Sequence, residues 1–488
     1  MVVNSFSFLL FFIVVFIGYY LPVCKHHPRY QNTWLLLASY FFYAYADLRM
    51  IPLLLGSTVV FWLLGLWLHR EMEKGHMEKA SRITTLAVVL GIGVLLYFKY
   101  LNFFAESFAS LLQSVGFHVS WSTLHIILPI GVSFFTFKLI SYVIEIHREH
   151  ITPSRDLTEF AAYIAFFPTI LSGPIDRPNK FLPQMQRVHT LDYRLAADGC
   201  RQILWGMFTK MCIADNLAVI TNQAWGGYDT LPSTMLVAAA LLYPIQLYAD
   251  FDGYSNMAIG VGKILGFQVT RNFNRPFLAR NMAEFWRRWH ISLTGWITDY
   301  VYMPLNIAFR NIGKWGIILA AMINLILIGL WHGANWTFGL FGLYHGLLFI
   351  PLVLSGTIGK NKKLKANDHG LPFLKDFRKM VATYLLVCLG LVVFRADNIG
   401  QAFGFLWAMV TNGVDGASII DRYGILYILF GLLLLTIDWI QRQKEHALQL
   451  ETFPLLRNQY LRFGLYLFII LMIITFTGKS QAFIYFQF

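Results

Sequence analysis

The chain has 488 residues, 57% hydrophobic and 13% charged, against roughly a quarter charged in an ordinary globular domain, which argues against a soluble globular protein. Its formal net charge of +13 would suit nucleic acid if the basic residues covered one face of a soluble domain. They sit instead in short connections between apolar runs, the pattern of cytoplasmic loops. The composition therefore predicts an all-α polytopic protein of the lipid bilayer with no nucleic-acid partner.

Apolar runs that reach or approach the ~20 residues needed to cross ~30 Å of hydrocarbon begin at Phe6 to Tyr20, Trp34 to Ala46, Ile51 to Leu68, Leu86 to Tyr97 and Leu124 to Ile144. No basic residue precedes the first run, so it reads as a retained helix rather than a signal peptide. Lys25 and Arg29, then Arg70, Lys74, Lys79 and Arg82, then Arg148 and Arg155 mark alternate connections. That alternation puts the N-terminus outside and every second loop inside. Between residues 150 and 315 the runs are interrupted by Pro168, Pro174, Pro178, Pro183, Pro244, Pro276 and Pro304. Short, re-entrant or interfacial helices are expected there. Irregular backbone at membrane depth must be enclosed by protein or line a cavity, so the centre of the chain is where a site should lie.

Four further crossings are predicted at 233–249, 254–266, 316–334 and 337–355. The densest basic loop follows, with Lys360, Lys362, Lys363, Lys365, Lys375, Arg378 and Lys379, and it is expected inside. Runs at 381–394, 424–439 and Leu461 to Thr477, with Arg442, Lys444 and Arg457 between the last two, return the C-terminus to the outside. This makes about twelve crossings in a single domain, 1–488. Cys24, Cys200, Cys212 and Cys388 have no metal-like or redox-like spacing.

Two segments could carry chemistry. Asn281 to Tyr302, NMAEFWRRWHISLTGWITDYVY, is amphipathic at helical spacing and puts Trp286, Trp289, His290, Leu293 and Ile297 on one face. Periodicity alone favours an interfacial helix anchored by tryptophan and arginine, and the histidine on its apolar side keeps the functional reading open. Its Arg287 and Arg288 form a pair of guanidiniums suited to phosphate. In Leu327 to Phe349, LIGLWHGANWTFGLFGLYHGLLF, His332 lies within an apolar run, where an ionisable group is a functional candidate. Asn335 and Trp336 are expected on its face at i+3 and i+4, with Gly329 and Gly333 thinning the helix to allow close approach and leaving room for a substrate. A buried imidazole would be neutral and able to take a proton, although a structural histidine remains open. His345 is expected to pack. His290 and His332 lack a second ligand at i+3 or i+4, so a zinc motif is not supported. Asp250 and Asp252 adjoin an apolar run, with Arg271, Arg275 or Arg280 as expected partners; a helix-end ion pair and substrate binding both remain open. Irregular backbone is expected at Phe167 to Pro178, FPTILSGPIDRP.

These residues belong to a wider set: LPIGVSFFTF at Leu128 to Phe137, SGPIDRP at Ser172 to Pro178, QLYADFDGYSNMAIG at Gln246 to Gly260, and NFNRPFLARNMAEFWRRWHISLTGWITDYVYMPL at Asn272 to Leu305. GLWHGANWTFGLFGLYHGLLF at Gly329 to Phe349 and FRADN at Phe394 to Asn398 complete it. In this order, over residues 128–398, the chain resembles the membrane-bound O-acyltransferase family, in its bacterial branch of alginate O-acetylation and teichoic-acid D-alanyl transfer. The resemblance implies a bundle around a central funnel, with re-entrant helices and with His332 and His290 as the catalytic pair. Trp331, Trp336, Trp286, Asn335, Arg287, Arg288 and Asp250 are the candidate substrate-binding residues. After DYVYMPL the chain has Asn306, Ile307, Ala308, Phe309 and Arg310, where relatives of this branch usually have a Gly-Gly-Asn-Arg turn.

The implied activity is transfer of an acyl group, expected to be acetyl, from a cytoplasmic thioester through the membrane for O-acylation of a periplasmic or extracellular polysaccharide. The donor would be a substrate, acyl-CoA (acetyl-CoA) or an acyl-carrier thioester, with no bound cofactor and no metal. An acyl-relay protein or the polysaccharide itself is the expected partner, and the bacterial inner (cytoplasmic) membrane the expected location. D-alanyl transfer to teichoic acid, a non-enzymatic scaffold and a transporter are the competing readings; a transporter should show two homologous halves, which this sequence lacks.

Overall fold

The computed structural model describes residues 1, 3–25, 27–117, 126–358, 370–414, 424–451, 453–478, 481 and 483. Among these the regular structure is helical, with no β-strand. Among the described residues eight continuous helical stretches are long and apolar enough to cross a bilayer, and three shorter apolar helices, Phe6–Tyr19, Ile399–Thr411 and Gly424–Ile440, accompany them. The protein is an all-α polytopic membrane protein. The chain divides into two compact units, Met1–Cys200 with Ala258–Thr270, and Arg201–Met257 with Arg271–Phe488.

The first unit contains α1 (Phe6–Tyr19), α2 (Pro28–Asp47), α3 (Ile51–Glu73), α4 (Met77–Leu95), α5 (Leu101–Ser114), α6 (Val132–His147), α7 (Leu157–Ala165) and α8 (Pro178–Met185). Local chemistry starts these helices. The Ser5 hydroxyl accepts from the Phe8 N–H to cap α1, and Pro28 occupies the first turn of α2, where its missing N–H costs nothing. Several polar side chains on apolar helices are satisfied inside the unit. Gln31 exchanges hydrogen bonds with the His189 backbone (both 2.8 Å), Asn32 donates to the Met185 carbonyl, and Lys138 donates to the Thr169 hydroxyl at 2.9 Å. From Phe167 to Gly173 the backbone is a buried series of turns, as its prolines predict, held where Tyr163 donates to the Asp176 carbonyl and Asp176 accepts from the Thr270 N–H. Irregular backbone is thus enclosed by protein.

A long helix, α9 (Tyr193–Phe208), continues through a π-helical turn, Thr209–Ala214, into α10 (Asp215–Gly226). This 34-residue stretch is apolar enough to span. The interrupted pattern of the sequence predicts only short elements here; Lys210 and Asp215 do not break the helix because they neutralise each other at 2.7 Å. The same physics corrects the two crossings expected at 233–249 and 254–266. They are one 32-residue helix, α11 (Ser233–Ile264), running through Pro244. Asp250 is held 2.5 Å from Lys210, and Asp252 accepts from Asn256 at 2.8 Å, so these charges do not end the helix. Gly253 is a close-approach point, where a Cβ would meet the Gly206 carbonyl at 2.9 Å, and not a break.

The second unit then carries α12 (Met282–Trp286), α13 (Ile291–Ile297), α14 (Met303–Ala308), α15 (Lys314–His332), α16 (Trp336–Leu354), α17 (Leu374–Arg395), α18 (Ile399–Thr411), α19 (Gly424–Ile440) and α20 (Gln459–Phe476). The short helices α12 to α14 match the interrupted pattern of the sequence. Of the basic loop, Lys360, Lys362, Lys363 and Lys365 lie outside the described residues, whereas Lys375, Arg378 and Lys379 fall in the first turns of α17.

Candidate active site

The segment Asn281 to Tyr302 is not the single amphipathic helix its periodicity predicts. Asn281 caps α12 by accepting from the Glu284 N–H at 2.8 Å, and the helix stops at Trp286. A turn follows, and His290 takes a left-handed conformation (φ 45°, ψ 50°) before α13 begins. The break is imposed from the neighbouring segment. The Asn274 N–H donates to the Arg288 carbonyl at 2.9 Å and the Ile291 N–H to the Asn272 carbonyl at 2.8 Å. The Ser292 hydroxyl donates to the Asn272 side chain. A non-glycine residue held there costs about 1–3 kcal/mol, the kind of strain that concentrates at functional sites. The predicted single face is accordingly divided. Trp289 packs among Phe273, Phe285 and Phe277, whereas Trp286 turns toward Phe341 and His345.

His332 is the last residue of α15, because Gly333 leaves the helix with extended backbone (φ −172°). Its ring centroid lies 6.2 Å from that of His290, nearly perpendicular, and Trp331 sits 5.7 Å from His290. Aromatic rings surround the pair: Phe251 at 4.7 Å from His290, and Phe394, from the FRADN motif, at 5.0 Å from His332. Both imidazoles are buried, His290 completely. Burial pushes His290 down to about 3, so its ring is neutral near pH 7. The two histidines the sequence singled out are therefore neighbours, brought together by α15 and by the turn before α13.

Other expectations need correction. Asn335 and Trp336 do not share a helical face with His332, since the helix ends between them. Asn335 caps α16, accepting from the Thr337 N–H at 3.0 Å and donating to the Asp397 carbonyl at 2.7 Å, so it ties the WHG segment to FRADN. Trp336 is 56% exposed. Nor do Gly329 and Gly333 leave room for a substrate. A Cβ on Gly329 would collide with the Phe338 carbonyl and one on Gly333 with the Phe338 ring, so both glycines exist for the tight α15–α16 contact. The expected arginine partner of Asp250 is replaced by Lys210. That helix serves the site through Phe251, one residue on.

A cavity of about 400 Å³ lies near this region, lined in part by Trp286, Arg287, Thr294, Asp299, Tyr302 and Asn324 but by neither His290 nor His332. Arg287 and Arg288 part company here. Arg288 donates to Glu284 at 2.9 Å and to the Asn274 carbonyl at 3.0 Å, so it holds the turn, while Arg287 faces the cavity. Glu284 also carries Arg280 at 3.1 Å; burial would raise its carboxyl, but these guanidiniums outweigh that and hold it below the usual range. Sequence reasoning missed Asn324. An amide inside the apolar run of α15 is the signal that could have found it: its Oδ1 and the Trp286 Nε1 are buried without hydrogen-bond partners among the described residues, an acceptor and a donor on one cavity. His345 is buried in the wall behind, 4.5 Å from Phe341 and 5.2 Å from Trp286. Among the described residues no three His, Cys, Asp or Glu side chains group as a metal site would require.

Comparison with known proteins gives one family and a consistent set of relatives. A profile of the membrane-bound O-acyltransferase family matches residues 37–355. The chain is similar to the probable alginate O-acetylase AlgI of Pseudomonas aeruginosa, 38% identical over 442 residues, 89% of this chain and 80% of that protein. It is 32% identical to a peptidoglycan O-acetyltransferase of Helicobacter pylori over 83% of this chain and 78% of the relative. A teichoic acid D-alanyltransferase of Bacillus subtilis is 31% identical over 54% of this chain and 68% of its own length.

Proposed function

The chain belongs to the membrane-bound O-acyltransferase family, and from that premise we propose that this O-acyltransferase moves an acetyl group from a cytoplasmic thioester to a polysaccharide beyond the membrane. The observation that carries the reading is the meeting of His290 and His332, 6.2 Å apart and both buried. In the proposed reaction the His332 imidazole takes the proton of an acceptor hydroxyl as its oxygen attacks the thioester carbonyl. The new C–O bond forms, the C–S bond breaks, and the proton passes on to the departing thiolate. A positioned base of this kind contributes ~10²- to 10⁴-fold. His290, locked in its turn, orients the reacting groups. Arg287 attracts the anionic end of an acyl-CoA or carrier thioester, while Asn324 Oδ1 and Trp286 Nε1 offer one acceptor and one donor to its polar groups.

Acetyl is favoured over D-alanyl because the similarity to relatives named as O-acetylating spans four-fifths or more of this chain, against about half for the D-alanyl branch. The alternate basic connections support a bacterial inner membrane location with the donor side cytoplasmic. An acyl-relay protein or the glycan itself would receive the group outside. The test is to reconstitute the full chain in vesicles and follow loss of acetyl thioester with and without an O-acetylatable glycan outside. Acceptor-dependent acetyl transfer is expected. Transfer of D-alanyl but not acetyl, or solute uptake without acyl transfer, would overturn the reading.

A further inference from the structure

A second cavity lies in the first unit and belongs to none of the machinery above. It is a groove of about 640 Å³, within the size range of ligand sites, between α2, α3 and α7. Its walls are two helical stripes. From α2 come Arg29, Leu36 and Tyr40, spaced seven and four residues apart, and from α3 come Leu55, Thr58, Val59 and Trp62. The charges gather at one end. Arg29 stands in the first turn of α2, 3.3 Å from Asp156, and Arg155 adjoins it just before α7. The Trp62 indole donates to the Ser154 carbonyl at 2.8 Å, which places the tryptophan at the same end. Arg155 has no ion-pair partner among the described residues, so the mouth, with two guanidiniums and one carboxylate, is net positive. Beyond it the lining is mostly apolar, with the hydroxyls of Tyr40, Thr58 and Thr158 among the aliphatic side chains. Leu55 and Val59 remain 42% and 37% exposed, so the groove is open along its side and not a sealed core defect.

Its length is informative. Arg29 to Tyr40 is eleven residues of helix, ~16 Å at ~1.5 Å per residue, and one leaflet's hydrocarbon is half of ~30 Å. The basic mouth also coincides with two connections, at Arg29 and Arg155, that the charge pattern puts inside, facing the leaflet that carries anionic lipids. We propose that this groove is a binding site for one anionic glycerophospholipid of the cytoplasmic leaflet, its phosphate held by Arg155 and Arg29 and an acyl chain laid along Leu36, Tyr40, Leu55 and Val59. Asp156 orients Arg29 for the contact, and guanidiniums are the side chains best matched to phosphate oxygens. A zwitterionic lipid would place its cationic headgroup against the arginines and lose that match.

Native mass spectrometry of the detergent-solubilised full chain, offered phosphatidylglycerol or phosphatidylcholine at equal concentration, tests this. Phosphatidylglycerol should be retained at one per chain and preferred by ~10-fold or more, the scale of one charge-assisted contact. Arg155→Gln, which leaves the Arg29–Asp156 bridge intact, should erase most of that preference. Val59→Trp fills the groove without changing its charge, and should lower retention of both lipids. Equal retention of the two lipids by the wild type, or an unchanged preference in Arg155→Gln, would overturn the proposal. So would displacement of the lipid by millimolar inorganic phosphate, which would mark a soluble-anion site.

Discussion

Two places in the second unit put ionisable groups deep among apolar helices, and they resolve the problem in opposite ways. At Lys210, Asp215 and Asp250 an ammonium stands 2.7 and 2.5 Å from two carboxylates, and all three side chains are buried. The charges close on one another, and the cluster fastens the π-helical turn to α11. At His290 and His332 the groups are two imidazoles facing each other and ringed by aromatic side chains. A buried ionisable residue in a membrane helix is thus a weaker pointer to function where opposite charges close on it, as at Lys210, than where it meets a second imidazole, as at His332.

That contrast can be broken experimentally. The largest effect is expected at the ion triad. Lys210→Met strands two carboxylates and should cost about 3–5 kcal/mol of stability, the usual penalty for removing one partner of a buried pair. It should be read as a lower unfolding temperature and yield. The triple change Lys210→Met, Asp215→Asn, Asp250→Asn should recover much of that loss and retain transfer per folded molecule. If the triple variant folds well but is inactive, the triad belongs to the reaction and the contrast fails.

A smaller effect is expected at Gly329. Because a methyl group there would meet the Phe338 backbone, which cannot rotate away, Gly329→Ala should force α15 and α16 apart at a cost of about 1–3 kcal/mol. Transfer should fall with it, since His332 ends α15. Gly339, where the same methyl would meet only a Leu330 side-chain atom at 3.6 Å, is the control. An unfolding temperature lowered equally by both substitutions would contradict the close-contact account.

The smallest effect separates the two adjacent arginines. Arg287→Gln should weaken binding of an acyl-CoA donor, more at low salt than at high, where surface attraction is already screened. Arg288→Gln should instead loosen the turn that presents His290, with a loss of transfer that salt does not change. Identical salt profiles would show that the two act as one anion site.

The spans are legible in the sequence because runs such as 316–334 and 381–394 carry their own signal, an apolar length that matches the bilayer. What is not legible is whatever a distant partner decides. Asp250 looks like a helix end until Lys210 neutralises it. The periodicity of Asn281 to Tyr302 is genuine, yet backbone hydrogen bonds from Asn272 and Asn274 break the helix and turn His290 left-handed. Gly329 and Gly333 announce a close approach without saying to what; Phe338 fills the space. The histidines themselves stood out in the sequence as polar groups in apolar segments, and the motif order pointed to their pairing. Asn324 carried the same kind of signal in α15 but had no motif around it, so only the cavity brings it forward.

The central claim is that His332, beside His290, takes the acceptor's proton. Single-turnover acetyl transfer by the reconstituted chain, compared between wild type and His332→Gln at matched unfolding temperature, tests it most directly. Glutamine keeps the size and polarity of the side chain but cannot accept the proton, so transfer should drop by at least ~10²-fold, while His345→Gln, in the wall behind the cavity, should change it little. A well-folded His332→Gln protein that still transfers acetyl at near the wild-type rate would contradict the account.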